Sequence, residues 1–344
     1  MRQATDNEPL SDPSIFFDLM VGPVRMAVLN TALELDITGL LDDGKPLEDV
    51  AEALGVTADT ANLGYFLDAT SAMGFTEKQN GGYRNTPFAE AYLCRESPFY
   101  LGGMVKKLSR MQHRNLDRIP DLIRQGPPDV APVDKLEGEA MWKQSVRHLA
   151  CYQKAGMADY VADLVSALPE FPAMRRMLDM GCGPGIMCMT TVARHPSLRG
   201  VLCDLPPVMQ VAREEIGRAG MESRITTIEG DYNEVDFGEG YDLIWASHTL
   251  YYAKDLDALL RRVCDALNPG GVFISFHEGM TRERTEPAPL VLSRLSLALE
   301  GQDVSFERGE IASRLPDAGF TFVETRILSL HLGPVEMVIG RKRG

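Results

Sequence analysis

Three alternating glycines and three acids mark where this sequence can hold a ligand. The run Arg176-Met177-Leu178-Asp179-Met180-Gly181-Cys182-Gly183-Pro184-Gly185 is a short apolar strand emptying into a loop with glycine at every second position. Glycines so placed permit positive φ and leave no Cβ between main chain and ligand. A dinucleotide site needs G-x-G-x-x-G at a helix N-terminus, and a P-loop needs Gly-Lys-Ser/Thr. Here the third glycine comes early, Pro184 breaks the turn, and Asp179 would repel a phosphate. A ligand without phosphates suits the loop better. Downstream, Asp204 ends the run Gly200-Val201-Leu202-Cys203-Asp204, 25 positions after Asp179. A carboxylate there is placed to accept both hydroxyls of a ribose. Asp231 ends a third run, Arg224 to Asp231, and Tyr232 follows it; the acid can accept from an adenine amino group while a neighbouring side chain packs on the ring.

These residues need a frame, and the surrounding pattern supplies one. Short β-rich runs at 176–180, 200–204, 224–231, 241–247 and 272–276 alternate with helical stretches at 186–193 and 255–267. That order predicts a doubly wound parallel α/β sheet, whose ligand lies at the carboxyl ends of the strands. Helices over 289–300 and 307–318 and two closing strands at 321–328 and 334–340 complete it. The first 165 residues read differently: helices over 23–35, 46–55 and 57–73, then a hairpin about Asn80-Gly81-Gly82. Helix, helix and hairpin make a winged helix.

Charge limits what this winged helix does. The chain carries a net charge of −14, and residues 1–100 hold 6 Lys or Arg against 16 Asp or Glu. The second helix, Thr57 to Met73, has no basic residue to make phosphate contacts, so the charge disfavours nucleic acid as a partner. The sequence reading finds no apolar run long enough to cross a bilayer, and Asp6, Glu8, Asp12 and Asp18 are unlike a signal peptide. Six cysteines without C-x-x-C spacing suit a reducing, cytoplasmic setting, and no histidine pair has metal-ligand spacing.

The D-x-G-x-G-x-G order resembles motif I of class I S-adenosylmethionine (SAM) methyltransferases. With the winged helix, "DLPPVMQVA", "IEGDY" and "LNPGG", nearly the whole chain resembles the small-molecule O-methyltransferase family, which includes plant phenolic and hydroxyindole methyltransferases and bacterial antibiotic-tailoring relatives. The resemblance implies a Rossmann-like seven-stranded SAM-binding domain over 166–344. A mainly helical winged-helix dimerisation and substrate-covering domain would span 1–165. It also implies a homodimer, a small-molecule acceptor, SAM as cofactor, and cofactor contacts from Asp179, Gly181, Gly183, Asp204, Leu205, Asp231, Tyr232, Ser247 and His248.

One departure from the family concerns catalysis. Many members carry a catalytic His followed by Asp-Trp after strand four; "SHTLYYAKD" puts Tyr251 and Tyr252 there instead. An imidazole near pKa 6.5 is a competent base at neutral pH, whereas a phenol near 10 is protonated. Tyr251 resembles the tyrosine of the bacteriochlorophyll C-methyltransferase branch. It stands as a tuned base or hydrogen-bond donor, as a pocket wall beside a strong nucleophile, or as a core aromatic. His248 is a second base candidate. His277 is a third, with a satisfied structural histidine as its alternative, and Glu278 can orient either ring. The acceptor stays open: Arg110, His113, Arg114, Arg147, His148 and Tyr152 suit a carboxylated substrate or are solvated helix faces. Another reaction on the same fold and a ligand-sensing regulator are the competing functions.

Overall fold

The computed structural model describes residues 14–131, 134–135, 139–330 and 333–344; Asp6, Glu8, Asp12 and His331 lie outside the described residues. The chain divides into two compact units, up to Gly102 and from Gly103 onward. The helices between residues 103 and 165, expected with the N-terminal domain, thus sit in the second unit.

The first unit contains α1 (Ser14–Glu34), α2 (Ile37–Leu40), β1 (Lys45–Pro46), α3 (Leu47–Ala53), α4 (Ala61–Ala72), β2 (Thr76–Gln79), β3 (Gly82–Asn85) and α5 (Pro87–Tyr92). Its strands form an antiparallel sheet in the order β1-β3-β2. Asn80 and Gly81 turn the hairpin with φ of 51° and 83°, the positive values a two-residue turn requires. Leu41, Val50, Leu67 and Tyr83 fill a small core. Against that core, α1 is anomalous: Phe16, Phe17, Leu19 and Met20 are 66–70% exposed. By length and mean hydropathy (21 residues, 1.3) this helix would reach across a membrane, contrary to the sequence reading, although Asp18 and Arg25 lie within it.

The second unit begins with α6 (Gly102–His113), α7 (Ile119–Gln125), α8 (Glu139–Tyr152) and α9 (Ala158–Ser166). Next come β4 (Arg176–Met180), α10 (Ile186–Ala193), β5 (Arg199–Asp204), α11 (Pro206–Ala219), β6 (Ile225–Glu229), β7 (Tyr241–Ser247) and α12 (Leu256–Ala266). The chain closes with β8 (Leu267–Met280), α13 (Ala288–Leu299), β9 (Phe306–Glu307), α14 (Glu310–Arg314), β10 (Phe320–Leu330) and β11 (Gly333–Lys342). The main sheet runs β6-β5-β4-β7-β8-β11-β10, with β9 paired to β8; β10 and β11 are antiparallel, as the closing hairpin predicted. Strands β4, β5 and β7 are apolar almost throughout because helices cover both faces. The helix expected over 307–318 is shorter: Gly309, at φ 78°, stands just before α14, and Pro316 follows its end.

Where α6 ends, a buried ionic cluster ties it to α13. Arg114 pairs with Glu300 and, at 2.7 Å, with Asp134; Asn115 Nδ2 donates to Glu300 Oε1 at 2.6 Å and to Ser296 Oγ at 3.1 Å. The Glu300 side chain is 3% exposed, so it tolerates its charge only with these partners. Arg114→Met is expected to cost about 3 kcal/mol in denaturant unfolding; an unchanged midpoint would show that the cluster contributes nothing net.

Candidate active site

The chemistry-bearing loops gather at the carboxyl ends of β4, β5, β6, β7 and β8 around a cavity of about 1060 Å³, at the upper end of ligand sites and roomy enough for two small molecules. Gly181, Gly183 and Gly185 have φ of 69°, 56° and 75°. A Cβ on Gly181 would lie 2.1 Å from Thr249 Oγ1, and one on Gly185 would lie 2.4 Å from Leu202 Cδ1. The loop can therefore carry no side chain at either place. Asp204 fastens it: Gly183 N–H donates to Oδ2 and Leu205 N–H to Oδ1, both at 2.7 Å.

The acids differ in state. Burial, and then the charge of Asp204, push the Asp179 carboxyl up to about 8, and its Oδ2 is buried without a hydrogen-bond partner among the described residues. Burial raises Asp204 to about 6 against its two N–H donors. Burial also acts on Asp231, but the amide and side chain of Asn233 and the Lys254 ammonium outweigh it and hold the carboxyl below its usual range. An orphaned acid beside a second acid suits a cationic group, and glycines with carboxylates at successive strand ends suit a ligand with hydroxyl and amino donors. The residues present fit SAM.

The loop Ser247–Tyr252 forms the adjoining wall. Its backbone is pinned from two sides: Thr249 and Leu250 N–H both donate to His277 Nε2 at 3.0 Å, and Tyr232 Oη donates to the Thr249 carbonyl at 2.7 Å. Since Nε2 of His277 accepts twice, Nδ1 carries the hydrogen and faces Ser275 Oγ at 2.9 Å. Burial, then the nearby His248, push His277 far below the usual imidazole range. It is neutral, fully engaged and absent from the cavity wall. This departs from its sequence reading as an acid–base candidate, because alternation along β8 turns His277 under the loop and Glu278 into the cavity.

Glu278 organises the reactive side. His248 Nδ1 lies 2.9 Å from its Oε2, and Tyr251 Oη donates to the same oxygen at 2.5 Å; Arg294 stands 3.6 Å away. Burial would raise Glu278, but His248, Arg294 and the two hydrogen bonds win and hold it well below the usual carboxylate range. An ionised carboxylate cannot donate, so Nδ1 of His248 carries the hydrogen, and of the two neutral tautomers this one has its lone pair on Nε2. His248 holds this pose at φ 49°, uncommon for a side-chain-bearing residue. Tyr251 packs between the rings of His277 and Phe306, at 5.0 and 5.1 Å. Burial, then the Glu278 charge, push its phenol well above 10, so it is a donor at neutral pH.

Of the other sequence candidates, Gly181, Gly183, Asp179, Asp204, Leu205, Asp231, Tyr232, Ser247 and His248 all line the cavity. Arg110 and Arg114 pair with Asp134, and Arg147 with Glu214, whereas His113, His148 and Tyr152 face the cavity. Sequence reasoning missed Lys107 and Arg294, which also line it; neither belongs to a motif.

Comparison with known proteins agrees with this frame. A methyltransferase domain matches residues 177–271, and an O-methyltransferase dimerisation domain matches residues 17–95. The chain is 27% identical to 3-hydroxy-5-methyl-1-naphthoate 3-O-methyltransferase of Streptomyces sahachiroi, over 91% of each chain. It is 28% identical to the tetracenomycin polyketide synthesis 8-O-methyl transferase of Streptomyces glaucescens, over 98% of this chain and 99% of that one. Human N-acetylserotonin methyltransferase, solved in complex with SAM, shares the fold with a TM-score of 0.78 and 21% identity, over 98% of this chain and 100% of that one. The chain belongs to the SAM-dependent methyltransferases that carry an O-methyltransferase dimerisation domain. It transfers a methyl group from SAM to a small organic acceptor.

His277→Leu tests the loop anchor. Leaving two buried N–H groups without an acceptor is expected to cost about 2–4 kcal/mol near neutrality. Because the folded ring is held neutral, the wild type loses stability as pH falls below about 6.5, where the unfolded imidazole takes up a proton. The gap between the two proteins should shrink from pH 7.5 to pH 5.5 in denaturant titrations; an equal gap contradicts the assignment.

Proposed function

We propose that the enzyme O-methylates an aromatic hydroxyl, with His248 as general base and Glu278 as the group that orients it. The observation that carries this is the shared Glu278 oxygen, which fixes the His248 tautomer with its Nε2 lone pair free. SAM supplies an electrophilic methyl group, open to in-line displacement by the acceptor oxygen. Nε2 takes the hydroxyl proton as that oxygen becomes nucleophilic, and Glu278 offsets the charge then formed on the ring. Tyr251 contributes no base; its hydroxyl holds Glu278 in place. Aromatic and thioether walls from Trp142, Tyr152, Tyr252 and Met157 favour a flat apolar acceptor, and both streptomycete relatives are named for O-methylation.

On the cofactor side, Asp179 takes the SAM ammonium, Asp204 the ribose hydroxyls, and Asp231 with Tyr232 the adenine, while Gly181, Gly183, Leu205 and Ser247 shape the wall. The same reading makes the enzyme a cytoplasmic homodimer. The exposed apolar face of α1 lies in the dimerisation-domain segment, and all six cysteines are free.

Two outcomes follow. His248→Gln should lower the single-turnover rate on a hydroxynaphthoate about 10²–10⁴-fold with SAM affinity retained, and Tyr251→Phe should lower it less; a fast H248Q enzyme, or no S-adenosylhomocysteine formed on any phenol, refutes the reading. Since the free Asp179 carboxyl titrates near 8 and the cationic ligand favours its ionised form, SAM affinity should rise with pH up to about 8. Near neutrality, binding should release up to about one proton, measured by calorimetry in buffers of different ionisation enthalpy. Proton release unchanged in Asp179→Asn contradicts the contact.

A further inference from the structure

Charge is segregated along the cavity. Asp179, Asp204 and Asp231 stand at the strand ends, and Lys107 stands on a helix of the wall. Of the three Lys and Arg residues on the cavity wall, Lys254 pairs with Asp231 and Glu234, and Arg294 faces Glu278. Lys107, half-buried on α6, makes no ion pair or hydrogen bond among the described residues. Burial, and then the charge of Arg110, push its ammonium below the usual lysine range; Asp134 opposes the shift without forming an ion pair with it, and Arg114 adds to it. An unpaired cation in such a place is costly, and an anionic ligand group relieves the cost.

His148 marks the same spot. Gly103 and Lys107 lie four residues apart on one face of α6, and a Cβ on Gly103 would fall 2.2 Å from His148 Nδ1. The glycine thus admits the imidazole to the face that carries Lys107. Burial, then the Lys107 charge, lower the ring's pKa, so it is a neutral hydrogen-bonding group beside the ammonium. A cation with an adjacent imidazole is a carboxylate-binding pair.

We propose that the acceptor is an aromatic acid whose carboxylate pairs with Lys107 beside His148, while its hydroxyl-bearing ring lies along the aromatic wall. This rests on the reading of an aromatic hydroxyl acceptor and adds the group by which that acceptor is selected. Arg114 and Arg147 are already held by Glu300 and Glu214.

The test measures binding to enzyme loaded with S-adenosylhomocysteine, so that it does not depend on turnover. The probes are hydroxylated benzoic and naphthoic acids, each compared with its own methyl ester. The expected result is that at least one acid binds tenfold or more tighter than its ester. Lys107→Met should abolish that ratio and Lys107→Arg should restore most of it, while S-adenosylhomocysteine affinity reports an intact fold in each variant. No acid binding better than its ester, or a ratio unchanged in K107M, overturns the proposal. The base assignment is judged apart: Lys107-dependent binding of an acid that is never methylated refutes the hydroxyl-acceptor reading and leaves the carboxylate site standing. Esters turned over as well as acids do the reverse.

Discussion

One carboxylate oxygen, Oε2 of Glu278, accepts from both His248 Nδ1 and Tyr251 Oη, and the reactive side of the cavity depends on it. Without that acceptor the imidazole has no reason to keep its hydrogen on Nδ1, and the phenol would lose the carboxylate to which it donates at 2.5 Å. The sheet makes the contact possible. Strand β8 pairs with β7 so that Ser247 stands beside Phe276, and β8 then continues past the loop to Met280. Successive residues of a strand point to opposite faces. His277 therefore holds the loop backbone from beneath, and Glu278 holds its side chains from the cavity.

The same economy governs the charges. At the strand ends the charge of Asp204 adds to burial in raising the Asp179 carboxyl; in the proposed binding mode the SAM ammonium is the counter-ion that Asp179 lacks. At the helical end the sign reverses, with Lys107 unpaired among the described residues. A cavity with acids at one end and a bare cation at the other orients its two ligands before either makes a specific contact.

Much of this was legible in the sequence because it is periodic or punctuated. The alternating glycines, the acids at strand ends and the closing hairpin announce the sheet and its binding edge, and Asn80-Gly81 announces the turn of the N-terminal hairpin. What was not legible depends on side chains distant in sequence meeting in space. Tyr251 drew attention because it occupies the family's base position, yet burial keeps it protonated. His248 gains its role from a residue 30 positions away, and Lys107 is distinguished only by the absence of a hydrogen-bond or ion-pair partner among the described residues. In helix α1, Asp18 and Arg25 interrupt the apolar run without shortening the helix, so its length is not legible as a continuous apolar stretch.

The central claim is that Glu278 sets the tautomer of His248. ¹⁵N NMR of histidine-labelled enzyme bound to S-adenosylhomocysteine, with the His248 signals assigned by their loss in His248→Gln, tests it most directly. The account predicts that the neutral tautomer observed has a protonated, pyrrole-type Nδ1 and a pyridine-type Nε2, and that the preference is lost in Glu278→Gln. A hydrogen on Nε2 in the wild type, or a tautomer indifferent to Glu278, would contradict it.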